Sequence, residues 1–168
     1  MRQDPNNYWE QLERLEKLIR ASELKAGVVF SFHSLILGLF IDRLENFKDI
    51  FLGNAALMVL LSSWLISVLI SIYFCFKCFQ PQIEMKYKPN VFFFRNASRD
   101  FGSVEDYVKH LISICGSEQA LYEQLAEQIH AESKIIDGKF KSVQKSIQFF
   151  ALSFMFVILI IVTWLVFA

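Results

Sequence analysis

Residues 50–76 read IFLGNAALMVLLSSWLISVLISIYFCF, 27 positions without a charged side chain. A helix rises about 1.5 Å per residue, so this run is long enough to cross a hydrocarbon core of roughly 30 Å. Working outward, two more stretches share the property. Residues 26–41 (AGVVFSFHSLILGLFI) are 16 uncharged positions between Lys25 and Asp42, and residues 146–168 (SIQFFALSFMFVILIIVTWLVFA) are 23 more. The first is short for a span, but Lys25 can snorkel and extend its reach. The expected fold is an all-α membrane protein. Its three transmembrane helices are grouped two plus one, with a helical cytoplasmic stalk or domain between the second and third.

The expected division is an amphipathic cytoplasmic helix (1–25), a first span (26–41), an external loop (42–49), a second span (50–76), a sensor or stalk region (77–145) and a third span (146–168). Net charge is zero, but the charges are segregated, and segregation sets topology. Arg14, Lys17, Arg20 and Lys25 precede the first span. Lys77, Lys86 and Lys88 follow the second, and Lys134, Lys139, Lys141 and Lys145 precede the third. Only Arg43 and Lys48 occupy the short connecting loop. Because basic residues stay inside, the N-terminus and residues 77–145 are expected in the cytoplasm, with the loop and Ala168 outside. On that topology the sequon Asn96-Ala97-Ser98 never meets glycosylation machinery. Cys75, Cys78 and Cys115 are expected as reduced thiols.

Local patterning extends the spans into longer helices. Asp4-Pro5 is a cap followed by a proline suited to a first turn. Tyr8, Leu12, Leu15, Ile19, Ser22 and Ala26 then recur at alternating steps of four and three, a heptad seam that runs into the first span. Leu121, Leu125, Ile129, Ile136, Phe140, Val143 and Ile147 mark a second seam that runs into the third. Gly138 is its weak point, at about 1 kcal/mol relative to alanine. Ser63, Ser67 and Ser71 have the small-residue spacing that lets membrane helices approach closely, and the first two spans are expected to pair antiparallel. Pro81 and Pro89 stop the second helix, and Gln82 to Arg95 reads as extended or irregular. Ser103 and Asp106 form a capping pattern for a short amphipathic helix with Val104, Tyr107, Val108, Leu111 and Ile112 on one face, ended by Gly116.

Few residues carry recognisable chemistry. No Walker motif, GxGxxG, paired catalytic carboxylates or nucleophile–base pair is present, so no enzyme, catalytic residue or cofactor is expected, nor a nucleic-acid partner. Cys75-Phe76-Lys77-Cys78 lacks the second pair that a zinc site needs. It reads as two boundary thiols, with reversible acylation as the functional alternative. His130-Ala131-Glu132 has the H-x-E spacing of zinc deaminases, but the P-C-x-x-C that should follow it is missing. His33, mid-span, faces protein on the extended seam (Ala26, Val29, His33, Ile36, Phe40). It reads either as a neutral imidazole bonded to a serine of the second span or as a gating residue. In the cytoplasmic region, Phe92, Phe93, Phe94, Arg95, Asn96 and Arg99, with Lys134, Lys139 and Lys141, combine aromatic faces with cations. That combination suits a nucleotide, whose base stacks and whose phosphate takes charge-assisted hydrogen bonds. The bland alternative is a small aromatic core with a solvated basic face.

The run Phe92-Phe93-Phe94-Arg95-Asn96, then Ser103-Val104-Glu105-Asp106-Tyr107, then Gln128 through Phe140 and a terminal membrane helix resembles the Pycsar effector transmembrane family. Glu23-Leu24-Lys25-Ala26 is similar to the acidic residue and Lys-Ala that open its first span, and the two-plus-one layout fits along nearly the whole chain. The chain has Glu23 where the family often has aspartate and Arg95 where it often has glycine. The resemblance implies a multi-pass antiphage effector of the bacterial inner membrane, acting in abortive infection. A cyclic nucleotide messenger, associated in the family with cyclic pyrimidine mononucleotides, would bind the cytoplasmic region. The candidate ligand residues are then Phe94, Arg95, Asn96, Arg99, Lys134 and Lys139. His33, Ser63, Ser67 and Ser71 would govern packing or gating in a homo-oligomer that breaches the bilayer. Two rivals stay open: a membrane adaptor for a partner protein, and a constitutive ion channel lined by His33 and Gln148.

Overall fold

The computed structural model describes residues 4–45, 53–80 and 90–167. Its principal helices are α1 (Pro5–Asp42), α2 (Ala55–Phe79), α3 (Phe94–Arg99), α4 (Val104–Cys115) and α5 (Glu118–Phe167), and no strand occurs among the described residues. Helices α1, α2 and α5 are long and apolar enough to cross a membrane. The chain divides into two compact units. A polar unit comprises Met1–Arg20 and Pro81–Asp137, and a membrane unit comprises Ala21–Gln80 and Gly138–Ala168. Helices α1 and α5 contribute residues to both.

The local signals act as expected. Asp4 accepts a hydrogen bond from the Asn6 amide at 3.0 Å, and α1 then continues for 38 residues into the first apolar stretch. Gly138 does not break α5, whose 50 residues are continuous. Helix α2 starts later than its apolar run. Asn54 Oδ1 caps it by accepting from the amides of Ala56 at 2.9 Å and Leu57 at 3.4 Å, because the first amides of a helix have no partner inside it. Ser103 caps α4, accepting from the Asp106 amide at 3.1 Å while its hydroxyl donates to the Asp106 carboxylate, and Gly116 ends the helix. The expected irregular segment is corrected at its end: Phe94 and Arg95 are the first turn of α3, not extended chain. Its remainder from 81 to 89 lies outside the described residues, as do the loop positions 46–52 and Ala168.

The membrane unit is an up–down–up bundle. Helices α1 and α2 run antiparallel, as expected, since Phe30 meets Phe76 and Phe40 meets Trp64 at ring distances of 5.3 and 5.2 Å. Helix α5 runs parallel to α1, placing Phe150 against His33, and antiparallel to α2, placing Ser146 against Ser71. The core holds Ala26, Val29, Cys75, Cys78 and Val143, with Phe30 and Phe150 packed on it.

One expected seam is corrected here. Phe140 and Ile147 face outward, and the buried line on α5 is Lys139, Val143, Ser146 and Ser153, with Phe150 half-buried between them. For Ile147, within the third apolar stretch, the reason is the solvent. Lipid is as apolar as phenylalanine, so large side chains gain little by turning inward. Small hydroxyl residues gain close approach and a hydrogen-bond partner.

In the polar unit the first part of α1 lies along the first part of α5. Tyr8 and Tyr122 rings are 5.2 Å apart, and Leu12, Leu125, Ala131 and Ile136 are buried. The segment before α3 is tied to α5 by polar contacts. Asn90 Nδ2 donates to the Gln124 carbonyl at 2.7 Å, and the Val91 amide donates to Gln124 Oε1 at 2.9 Å. Phe92 meets Trp9 of α1 edge-on at 5.4 Å. Tyr107 of α4 closes this core, its hydroxyl donating to the Val91 carbonyl at 3.3 Å.

Candidate functional site

Of the six candidate ligand residues, five lie in the polar unit. Phe94, Arg95, Asn96 and Arg99 share the short helix α3, and Lys134 lies on α5. The Asn90 anchor holds the backbone leading into α3: its Oδ1 accepts from the Phe92 amide at 2.9 Å, and its carbonyl accepts from the Phe93 amide. Asn96 Nδ2 donates to the Asp100 carboxylate one turn on, and Arg99 is exposed at the end of the helix. Lys134 is exposed as well. The arrangement offers four polar or cationic residues, Arg95, Asn96, Ser98 and Arg99, on one six-residue helix that follows an aromatic pair formed by Phe92 and Trp9.

The same unit contains a carboxylate under strain. Burial raises the Glu132 pKa above its ordinary value of 4.5, Gln128 lowers it by donating from Nε2 at 3.1 Å, and the Glu16 carboxylate raises it again. A raised value in the folded state means folding favours the protonated acid. Glu132 therefore costs stability at neutral pH, and that cost disappears as pH falls through its raised pKa toward 4.5. Glu132→Gln is expected to raise the melting temperature at neutral pH. The gap between variant and parent should narrow on acidification. A variant that melts below the parent at neutral pH would show that the carboxylate is stabilised as an anion.

The sixth candidate, Lys139, belongs to the membrane unit. It is only 3% exposed and donates to Glu23 Oε1 at 2.7 Å and to the Cys78 carbonyl at the end of α2. One ammonium thus joins the start of the first apolar stretch, the end of the second and the approach to the third. This junction was not legible from charge patterning, where Lys139 is one of four lysines ahead of the last span. The signal lay in a second heptad spacing, Lys139, Val143, Ser146, Phe150 and Ser153.

One helical turn and more beyond the junction, Ser71 and Ser146 are both fully buried. The Ser71 hydroxyl donates to the Ser146 carbonyl at 2.8 Å, and Cys75 Sγ lies 2.9 Å from Ser146 Oγ. Ser67 is buried too, with its hydroxyl turned back to the Ser63 carbonyl at 2.8 Å; Ser63, half-buried, bonds Val59 in the same way. Of these three serines, Ser71 is the one bonded across to α5. Cys75 and Cys78 are completely buried free thiols, whereas Cys115 is exposed. Acylation cannot reach the buried pair in this packing. A maleimide is expected to label Cys115 rapidly and leave Cys75 and Cys78 unmodified until the bundle is unfolded. Early labelling of either would show that the bundle opens spontaneously.

His33 is 1% exposed, and its imidazole packs edge-on against Phe150 with ring centres 5.1 Å apart. The expected hydrogen bond to a serine of the second span does not form. Among the described residues neither ring nitrogen has a partner; the serines of α2 are engaged with Ser146 and with their own helix backbone. Gln148 is exposed, so it and His33 share no interior lining within one chain.

No solved structure matches this chain. A curated relative, the Pycsar effector protein PtPycTM of Propioniciclava tarda, is 28% identical over 146 residues, covering 83% of this chain and 69% of that protein. The family description "Pycsar effector protein domain" matches residues 7–166, which takes in both units and all three candidate spans. With that match running almost from end to end, the chain belongs to the Pycsar effector family.

Proposed function

We propose that this multi-pass membrane effector of antiphage defence is a nucleotide-gated breaker of the bacterial inner membrane. Its polar unit binds a cyclic nucleotide in the cytoplasm, and binding drives copies to assemble and breach the bilayer. The observation that carries the reading is the family match over residues 7–166, which covers a polar unit with its own core as well as the membrane helices. Topology supports the sidedness. Glu23, Cys78 and Lys139 meet at one end of the bundle, so α1 enters it, α2 leaves it and α5 re-enters it at the same, cation-rich end.

The ligand is assigned to Phe94, Arg95, Asn96, Arg99 and Lys134. The base would stack on an aromatic face and the cyclic phosphate would take charge-assisted hydrogen bonds from the cations. Lys139 is left out of this set because its ammonium is buried and already paired. A ligand shifts an equilibrium only by its differential affinity for the two states. A hundredfold preference for the assembled state supplies about 2.7 kcal/mol per site.

The test uses the full chain in proteoliposomes loaded with a self-quenching dye, exposed to a panel of cyclic mononucleotides with cyclic pyrimidine nucleotides among them. Dye release on adding one nucleotide, weakened by Arg99→Ala and Lys134→Ala, is the expected result. Release without nucleotide would favour a constitutive channel. Tight membranes and no nucleotide binding by any member of the panel would favour an adaptor for a partner protein.

A further inference from the structure

The geometry points to a self-complementary contact on α4 through which the polar units of two copies of this chain pair antiparallel. Helix α4 has an apolar arc wider than its packing uses. Tyr107, Leu111 and Ile114 are half-buried toward the unit, where Phe101 meets Tyr107 edge-on at 5.4 Å. The rest of the arc is bare: Val104 is 74% exposed, Val108 42% and Ile112 66%. These three recur at steps of four, so they form one line along the helix rather than scattered apolar positions.

Charge decides what covers the line. Glu105 and Lys109 each follow a stripe residue by one position, so both stand on the same edge of it, and both are exposed. Among the described residues, neither takes part in an ion pair within the chain. A two-fold axis through Val108, perpendicular to two antiparallel α4 helices, brings like edges together. Val104 then faces Ile112 of the second copy, and Val108 faces its own counterpart. Glu105 falls within about 3 Å along the axis of Lys109 of the second copy, and the converse pair forms by symmetry. A parallel pair would instead set each charged edge against the other copy's apolar edge. A bilayer surface fits less well: helices that lie on anionic lipid carry Lys and Arg on their polar face, whereas α4 carries Glu105 and Asp106 against Lys109 alone.

Three side chains fall short of the roughly 800 Å² per partner of an ordinary stable interface. The contact is therefore weak in free solution and gains its strength from copies concentrated in one membrane. It goes beyond the nucleotide reading and needs no ligand.

The experiment takes the full chain in native membranes without nucleotide. Val108→Cys in a Cys115→Ser background is treated with a short bis-maleimide and compared with the parent, whose exposed cysteine is Cys115. Expected is several-fold more covalent dimer at position 108 than at 115, because the two-fold places the former on the axis and the latter far from it. Lys109→Glu should reduce the dimer, and Glu105→Lys with Lys109→Glu should restore it, while continued protection of Cys75 and Cys78 verifies folding. Equal yields at 108 and 115, no dimer at 108, or failure of the double reversal to restore it would overturn the contact. Nucleotide binding at Arg99 would be untouched by that failure, so the two readings fall separately.

Discussion

Replacing Glu23 with methionine is expected to destabilise the membrane unit by about 3–5 kcal/mol, because it leaves the buried Lys139 ammonium without its counter-charge. Lys139 is 4% exposed at its side chain and Glu23 is 40% exposed. The two partners are therefore unequal. Without Glu23, the ammonium keeps the Cys78 carbonyl as its one partner among the described residues and stays buried from water. Without Lys139, the carboxylate can turn to solvent and hydrate, so Lys139→Met should cost only about 1–2 kcal/mol. Removing both with Glu23→Met/Lys139→Met should return stability close to the parent value, since a well-packed apolar pair often replaces a buried ion pair without loss. Unfolding in mixed micelles, followed by helical circular dichroism and by the labelling of Cys75 and Cys78, measures all three variants. A Lys139→Met cost equal to that of Glu23→Met would show that the buried ammonium is not the expensive member.

His33→Leu is expected to act in the opposite direction, stabilising the bundle by about 1–3 kcal/mol. The neutral imidazole has one N–H and one ring lone pair, yet among the described residues neither nitrogen finds a partner. A polar group taken from water and left unpaired costs more than a hydrogen-bonded one gains. Leucine removes that penalty and gives up an edge-on aromatic contact with Phe150 worth roughly 0.5–1.5 kcal/mol. The same chemical denaturation series, run with His33→Leu beside the parent, reads the sign. A less stable variant would show that the imidazole has a partner in the membrane. A stabilised variant that also releases dye more slowly in the proteoliposome assay would place His33 on the route from closed to breached bundle.

Both predictions concern residues whose identity is plain in the sequence but whose partners are not. His33 reads at once as an ionisable group inside a span. Its neighbour, however, is Phe150, 117 positions later, rather than a serine of the adjacent helix. Lys139 reads as one of a cluster of cations ahead of the last span, and only the fold separates it from Lys134 by burying one and exposing the other. The candidate ligand helix was legible as a set of residue types. Its helical backbone was not, because Phe92 to Arg99 has no periodic pattern longer than two turns and takes its start from the Asn90 anchor on Gln124.

By itself the chain's order of residues determined everything that depends on near neighbours. Charge-free length set the three spans, heptad spacing carried α1 and α5 through the membrane boundary, and Asp4, Ser103 and Gly116 marked helix ends. Tertiary structure alone decided which face of each span turns inward. In water, burial sorts apolar from polar side chains, so periodicity names the buried face. In lipid both faces are apolar, and the choice passes to small hydroxyls and to one ion pair that can be satisfied only across helices. That is why Ser146 lies inside while Ile147 looks outward, and why Lys139, at the bundle's end, turns in to meet Glu23.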